Sequence, residues 1–389
     1  MSENTGEILG YNPLLKFEIS KPELIEKALQ LEDLTAQDST HSVNLIRLSI
    51  QKQLEDRNFP NITVVRDNPV VSVADNFDKL LFPKGNVGRS SVYTRYVDND
   101  NVLRTHTSAS IPSLLEHIAV RDDAPDDITF ILPGLVYRRD VSDKTHLGEF
   151  HQMDIWRLVR HGNNKPMDES DLAGLVDAVF KGAVPDREAI VYDAVHPYTV
   201  NGIEVYSQFG DEQLEVLEAG LINPQVLRNC GLDPNEYSGL ALGMGLDRLV
   251  MARKNLSDIR LLRATNPKVA EQMHDMLPYK EISNQPPTTR DLSYVVDINS
   301  EPEDISEGIR EAFGDNSYLI EEVGILETTS FEDMHPNAIQ RLGMAPNQKN
   351  VLVRIALRHP DRTLSKKEVS VMYSEAYPKI HQGVETGYL

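Results

Sequence analysis

The chain has 389 residues, 40% hydrophobic and 25% charged, with 60 acidic against 39 basic side chains and a net charge of −21. That length holds two or three domains with a large core, and the composition is that of an ordinary globular protein. No apolar run approaches the roughly 18 residues of a membrane-spanning helix, so no membrane partner is expected.

Cys230 is the only cysteine, which excludes an internal disulfide and a cysteine-built zinc site and points to reducing cytoplasm. The start, Met1-Ser2-Glu3-Asn4, is neither basic nor followed by an apolar stretch, unlike a secretory signal. An organellar matrix, reached after loss of a presequence, is the alternative location. The acidity opposes a nucleic-acid partner, because cations drive phosphate binding. Arg354, Arg358, Arg362, Lys366 and Lys367 form a basic exception in an otherwise acidic tail.

In chain order, residues 1–38 read as an irregular leader with a short helix near Pro22–Leu31. Ser39 or Thr40 can cap the next helix, where Val43, Ile46, Ile50 and Leu54 recur at helical spacing. Ile62–Val65 and Val70–Val73 read as short strands, Thr129–Arg139 and His151–Val159 as longer ones joined by a polar loop, and Asp168–Lys181 as a helix. Strands at Glu204–Gln208 and Gln213–Gly220 precede a glycine-rich stretch that opens a helix near Gly245–Arg253. Strands dominate with helices inserted, which predicts an α+β domain over 39–264 on an antiparallel sheet.

A helical linker is expected over 265–283, ending near Asn284-Gln285-Pro286-Pro287. Beyond it come a strand (Leu292–Val296), a helix (Pro302–Phe313), strands (Tyr318–Leu326, Asn350–Leu357) and a helix (Ser365–Tyr377) opened by the capping-box sequence Ser365-Lys366-Lys367-Glu368. One more strand would complete a ferredoxin-like βαββαβ domain over 284–389.

Three segments carry chemistry: Leu103-Arg104-Thr105-His106-Thr107-Ser108-Ala109-Ser110; Tyr137-Arg138-Arg139-Asp140 with His146 and Phe150-His151-Gln152-Met153-Asp154; and Gly239–Leu249, which holds Ala241, Gly243, Gly245 and Arg248. Arg138 at a strand end can fork onto a phosphate, and a loop bearing His146 can close over the outer phosphates. Phe150 offers a face for adenine, Gly243 and Gly245 allow close backbone approach, and Arg248 adds a second cation. In-line attack of a carboxylate on an α-phosphate is mostly positioning and charge stabilisation, so two arginines suit it.

In order and spacing, the second and third segments resemble motifs 2 and 3 of class II aminoacyl-tRNA synthetases. Thr105-His106-Thr107-Ser108, Phe150-His151-Gln152, Leu214-Glu215-Val216-Leu217, Asn223-Pro224-Gln225-Val226-Leu227 and Asn76-Phe77-Asp78-Lys79-Leu80-Leu81 are similar to phenylalanyl-tRNA synthetases. Arg290-Asp291-Leu292-Ser293 and Arg358–Ser365 resemble that family's ferredoxin-fold anticodon-binding domain. The single-chain, organelle-type layout is implied, as a monomer or homodimer.

The resemblance implies ATP and Mg²⁺, with Arg138, His146, Phe150, Glu204, Glu215, Gly245 and Arg248 at the nucleotide and Glu204 and Glu215 as the metal ligands. It places His106, Ser108, Gln152 and Asp154 at the amino acid's polar end and His196, Tyr198, Ala241 and Gly243 around its side chain. It assigns Arg354, Arg358, Arg362, Lys366 and Lys367 to tRNA. The chain departs from the family at His196-Pro197-Tyr198, where Phe-Pro-Phe is common; at Asp154, where glutamate is expected; and at Glu218, where glycine is usual. Glu218 either turns to solvent or pairs with a polar or basic substrate.

The expected activity is activation of phenylalanine by ATP and transfer to the 3′ end of tRNA. The alternatives are a paralogue that uses another amino acid or a non-tRNA acceptor, and a non-catalytic binding protein.

Overall fold

The computed structural model describes residues 17–139, 147–162, 164–264, 266–282, 287–359 and 362–384. They form two compact units: one from the chain up to Arg139, Glu149–Lys254 and His274–Met276, the other chiefly from Asn255–Met273 and Leu277 onward.

The first unit holds α1 (Pro22–Leu29), α2 (Ser42–Asp56), β1 (Ile62–Val64), β2 (Val70–Ser72), β3 (Asn101–Leu103), α3 (Ile111–Ala119), β4 (Asp127–Tyr137), β5 (Glu149–Arg160), α4 (Glu169–Ala183), β6 (Ile190–Ala194), β7 (Thr199–Phe209), β8 (Glu212–Ile222), α5 (Pro224–Asn229), β9 (Tyr237–Gly245) and α6 (Leu246–Lys254). A seven-stranded sheet runs β1-β4-β5-β9-β8-β7-β6, with only the β1–β4 pair parallel. β4 and β5 are buried almost throughout; β4 shows this as a near-continuous apolar sequence, whereas β5 also buries His151, Gln152 and Asp154.

One sheet face is covered by helices: α4 crosses β8, α6 lies on β5, and α2 packs on α4. A Cβ on Gly182 of α4 would fall 2.6 Å from the Cα of Ile50 in α2, so the absence of a side chain sets how closely these helices approach. At one end of the opposite face, Ile111 and Leu115 of α3 cluster with Phe130, Trp156 and Ala241.

One expectation is corrected here, and two strands were not foreseen. The cap of α2 is His41, whose ring accepts from the Val43 amide at 3.2 Å. Ser39 instead accepts from the His41 amide, and Thr40 bonds the ring of His274. The glycine-rich stretch does lead into a helix where one was expected, α6 at Leu246–Lys254, and is itself a strand, β9, paired with β5 and β8 on both sides. β6, at the sheet edge, was not anticipated; its exposed side chains leave little periodic signal.

In the second unit a 3₁₀ segment (Ile259–Arg263) and a short α7 (Pro267–Ala270) precede β10 (Thr288–Asp297), α8 (Pro302–Phe313), β11 (Ile320–Ser330), α9 (Pro336–Leu342), β12 (Gln348–Leu357) and α10 (Lys366–Ile380). The linker is therefore not one helix: α7 is a single turn between Pro267 and a 3₁₀ turn at Glu271–His274. Ser365 caps α10 with the reciprocal capping box.

The sheet order is β10-β12-β11, antiparallel throughout, with Tyr294, Val353 and Tyr373 in its core. No fourth strand appears among the described residues. Instead Gln382 donates its amide to the Val295 carbonyl on the outer edge of β10, and its side chain accepts from the Asp297 amide.

Gly182→Ala is expected to force α2 from α4 and to lower stability by about 1–3 kcal/mol, the usual cost of overpacking. Thermal unfolding followed by far-UV circular dichroism checks this; an unchanged midpoint would show that the helices can part freely.

Candidate active site

Directly paired residues in a sheet project from the same face, and so do residues two apart in one strand. On β5 this puts Trp156, Asp154, Gln152 and Phe150 on one face, with Ala241, Gly243 and Gly245 of β9 opposite the first three in turn. The row through Asp154 continues across Gly243 to Glu218 of β8, Glu204 of β7 and Tyr192 of β6. The row through Trp156 continues across Ala241 to Gly220. The sheet thus lays out parallel rows of different chemistry.

The first row is apolar and aromatic. Tyr198, buried in the loop before β7, stacks on Trp156 at 5.7 Å and lies 6.2 Å from Phe82. His196 also stacks on Tyr198, at 6.4 Å.

The second row is acidic. Asp154 is fully buried, and Thr107 donates to its Oδ1 at 3.0 Å. Burial pushes its carboxyl up to about 7, opposed by hydrogen bonds from Ser108 and Thr107 and reinforced by the charge of Glu218. The Tyr198 hydroxyl donates to Glu218 Oε1 at 2.9 Å, and His196 Nε2 stands 3.4 Å from Glu218 Oε2. Burial, then the charges of Glu218 and Asp154, push the Tyr198 phenol far up, so it stays a donor. Glu218 therefore does not turn to solvent: its side chain is 31% exposed and faces Tyr198 and His196.

His106 stands nearby, stacked on Phe82 at 5.2 Å. Its Nε2–H donates to the Asn76 carbonyl at 2.9 Å, leaving Nδ1 as a buried acceptor without a partner. Burial holds the imidazole down to about 3, with the charge of Arg138 adding to the effect, so His106 accepts a hydrogen bond and brings no positive charge. Ser108 begins the turn into α3 and touches both Asp154 and Tyr198.

The far end of the face carries aromatic and cationic groups. The Arg138 guanidinium lies over the Phe150 ring, 5.1 Å from its centroid, and its Nε donates to the Thr105 carbonyl at 3.1 Å. Arg248, exposed at the start of α6, forms no hydrogen bond among the described residues, and its charge acts on Glu215. Glu215 is raised by burial and by the charges of Glu218 and Glu204, against the pull of Arg248 and His196. Glu204 accepts from the Tyr206 hydroxyl at 3.0 Å. Gathered hard oxygens of this kind suit Mg²⁺ shared with phosphates, although no group of three or more such ligands forms a metal cage among the described residues. His146 lies outside the described residues.

The C-terminal basic residues do not gather into a patch of unpaired charge. Arg354 forms a bidentate pair with Asp291, Arg358 pairs with Glu321, and Arg362 pairs with Glu368. Lys366 and Lys367 are exposed on the first turn of α10.

Two positioning groups escaped sequence reasoning. Asn76 is fully buried and bonds the backbone and hydroxyl of Thr105 as well as His106. Asp247 takes both the ring and the amide of His151, at 2.7 and 3.1 Å. The only available signal was their presence inside the quoted segments.

An antiparallel sheet that carries a graded polar face, two arginines and clustered carboxylates defines an enzyme core that joins a small carboxylic acid to a nucleotide. Residues 27–273 match the family model described as tRNA synthetases class II core domain (F), and the chain belongs to that family.

Over most of its length the chain is 27% identical to the mitochondrial phenylalanine–tRNA ligase of Dictyostelium discoideum, covering 85% of this chain and 81% of that one. It is 28% identical to the mitochondrial enzyme of Saccharomyces cerevisiae, covering 92% and 88%. It is 34% identical to the phenylalanine–tRNA ligase alpha subunit of Prochlorococcus marinus, over 51% of this chain and 56% of that subunit.

Asp154 gives a pH prediction. Its folded-state value of about 7 lies above the ordinary aspartate value near 3.9, so the native state holds a proton that the unfolded state loses across that window. Stability from this group is full below about pH 4 and falls as pH rises toward 7. Asp154→Asn should therefore gain on the wild type from pH 4 to pH 7, by up to about 3–4 kcal/mol. Urea denaturation at several pH values measures the difference; a gap independent of pH would refute the assignment.

Proposed function

We propose that this chain activates phenylalanine with ATP and transfers it to the 3′ end of tRNA. One observation carries the reading: the face of β5 runs from aromatic (Trp156) through acidic (Asp154) and amide (Gln152) to an aromatic ring under an arginine (Phe150, Arg138). Successive positions are about 6.7 Å apart. An aromatic amino acid lying along them puts its ring at Trp156, Tyr198 and Ala241, its ammonium at the carboxylates, and its carboxylate toward the arginines. The names of the relatives support phenylalanine as the amino acid and favour an organellar matrix over cytoplasm. No described helix is long and apolar enough to cross a membrane.

The chemistry balances without a covalent enzyme intermediate. A carboxylate oxygen of the amino acid attacks the α-phosphorus, the bond to the β-phosphate oxygen breaks, and pyrophosphate leaves. The 3′-terminal ribose hydroxyl of tRNA then attacks the acyl carbon and AMP departs. Arg138 and Arg248 hold the phosphates in line and meet the charge that builds there. Phe150 exchanges its contact with Arg138 for one with adenine. Glu204 and Glu215 are the residues that would hold Mg²⁺, which when bound neutralises phosphate charge.

The second unit serves as the anticodon-binding domain in this reading. Lys366 and Lys367 carry its accessible charge, and the paired arginines exchange carboxylates for phosphates on binding. Such an exchange gains little net Coulomb energy, and the counterions released from the neutralised phosphates make affinity for tRNA salt-dependent.

Amino-acid-dependent ATP–pyrophosphate exchange tests the reading: phenylalanine should support it, and exchange only with another amino acid would overturn the substrate. Arg248→Ala should lower turnover by about 10²–10³-fold, the effect of losing one charge-stabilising donor. Replacing Lys366 and Lys367 by alanine should weaken tRNA charging while exchange persists; equal loss of both activities would remove the proposed role of this domain.

A further inference from the structure

Asp154 and Glu218 flank a glycine. A Cβ built on Gly243 would lie 3.1 Å from Asp154 Oδ1 and 3.6 Å from Glu218 Oε1, so the two carboxylates converge over the one residue of the row that has no side chain. They are unequal partners for a cation. Asp154 is 1% exposed and already accepts hydrogen bonds from Thr107 and Ser108. Glu218, 31% exposed, has one hydrogen bond, from Tyr198, with His196 Nε2 at 3.4 Å from its other oxygen.

A third acceptor stands on the same face. Gln152, two residues along β5 from Asp154 and 9% exposed, buries its Oε1 without a partner. A buried acceptor left unpaired costs free energy, and so do two carboxylates held together. An ammonium group has one charge and three N–H donors and relieves all three acceptors at once.

We infer that Glu218 is the charged anchor of the substrate's α-ammonium group, with Asp154 behind it and Gln152 beside it completing the cradle. This rests on reading β5 as the substrate track but not on which amino acid lies there. The register separates it from a side-chain-reading role. Glu218 pairs across Gly243 with Asp154, whereas the aromatic row of Trp156, Ala241 and Gly220 lies one step further along the strands. The carboxylate therefore stands at the level of the backbone end of the substrate, and Tyr198 reaches over from the side-chain row to hold it.

The test uses Glu218→Gln, which keeps the shape and can still accept from Tyr198, with the KM for ATP as control for an intact fold. Two inhibitors of exchange are compared: phenylalaninol, which keeps the ammonium and lacks the carboxylate, and 3-phenylpropionate, which lacks the ammonium. The variant should raise the KM for phenylalanine and the Ki of phenylalaninol together, by about 10–10²-fold, the worth of a hydrogen bond to a charged group. The Ki of 3-phenylpropionate should not move.

Parallel loss of 3-phenylpropionate binding, or no change in either Ki, would overturn the inference; a switch of preference from phenylalanine to tyrosine in which both inhibitors weaken would assign Glu218 to the side chain instead. If the wild type exchanges with a different amino acid, the phenylalanine reading fails alone, and the amino alcohol and des-amino acid of that substrate replace the pair. Exchange with no amino acid overturns both.

Discussion

The bond between His151 and Asp247 holds the site's two halves in register. The β5–β9 ladder ends at Gln152 and Gly245, because the chain turns into α6 at the next residue. The His151 amide, one position beyond the last rung, has lost its strand partner. Asp247 in the first turn of α6 replaces it, taking the amide on one oxygen and the ring on the other, while the other ring nitrogen accepts from the Leu34 amide. Both residues are buried, so the pair is poorly screened, and a carboxylate in the first helical turn is also favoured by the helix dipole. Phe150 and Gln152 flank His151, and Arg248 follows Asp247. A single buried side-chain pair thus fixes an aromatic face, an amide and a cation relative to one another.

From that fixed point the rest follows by strand arithmetic. A site read out along β5 inherits the two-residue period of the strand, so its chemistry changes at each step without any loop having to fold in. Rigidity matters because pre-organised donors and charges stabilise a developing charge only if they need not move. The helices behind the sheet supply it: Gly182 lets α2 seat on α4, and α4 backs β8, the strand that carries Glu215 and Glu218. The packed face and the reactive face are two sides of the same strands.

The chemistry-bearing segments were legible because arginine, histidine and carboxylate runs at fixed order are informative residue by residue. β4, β5, α4, α8 and α10 were legible in the sequence, and Ser365 caps the helix that it was expected to cap. β9 was not, because Ser238-Gly239-Leu240-Ala241-Leu242-Gly243 has poor strand propensity and becomes a strand through neighbours on both sides. The orientation of Glu218 was equally hidden, since it depends on Tyr198, twenty positions earlier. The C-terminal arginines read as a block of positive charge, yet Arg354 finds Asp291 across 63 positions and Arg358 finds Glu321 across 37. Local sequence shows which charges exist; only the fold shows which are already matched.

The remaining tension is the acidity of the face itself. Asp154, Glu204, Glu215 and Glu218 share one region, and the shifts of Asp154 and Glu215 record mutual repulsion on top of burial. A protein selected for stability alone would dilute that cluster, since burying like charges is unfavourable. The chain holds it beside two arginines and with a glycine between Asp154 and Glu218, where a Cβ would crowd the Asp154 oxygen at 3.1 Å. In the proposed function, electrostatic strain of this kind is relieved by cations that arrive from outside: an ammonium on the amino acid and a divalent ion with the nucleotide. On that reading the amino acid and the nucleotide each bring the positive charge that offsets the cluster.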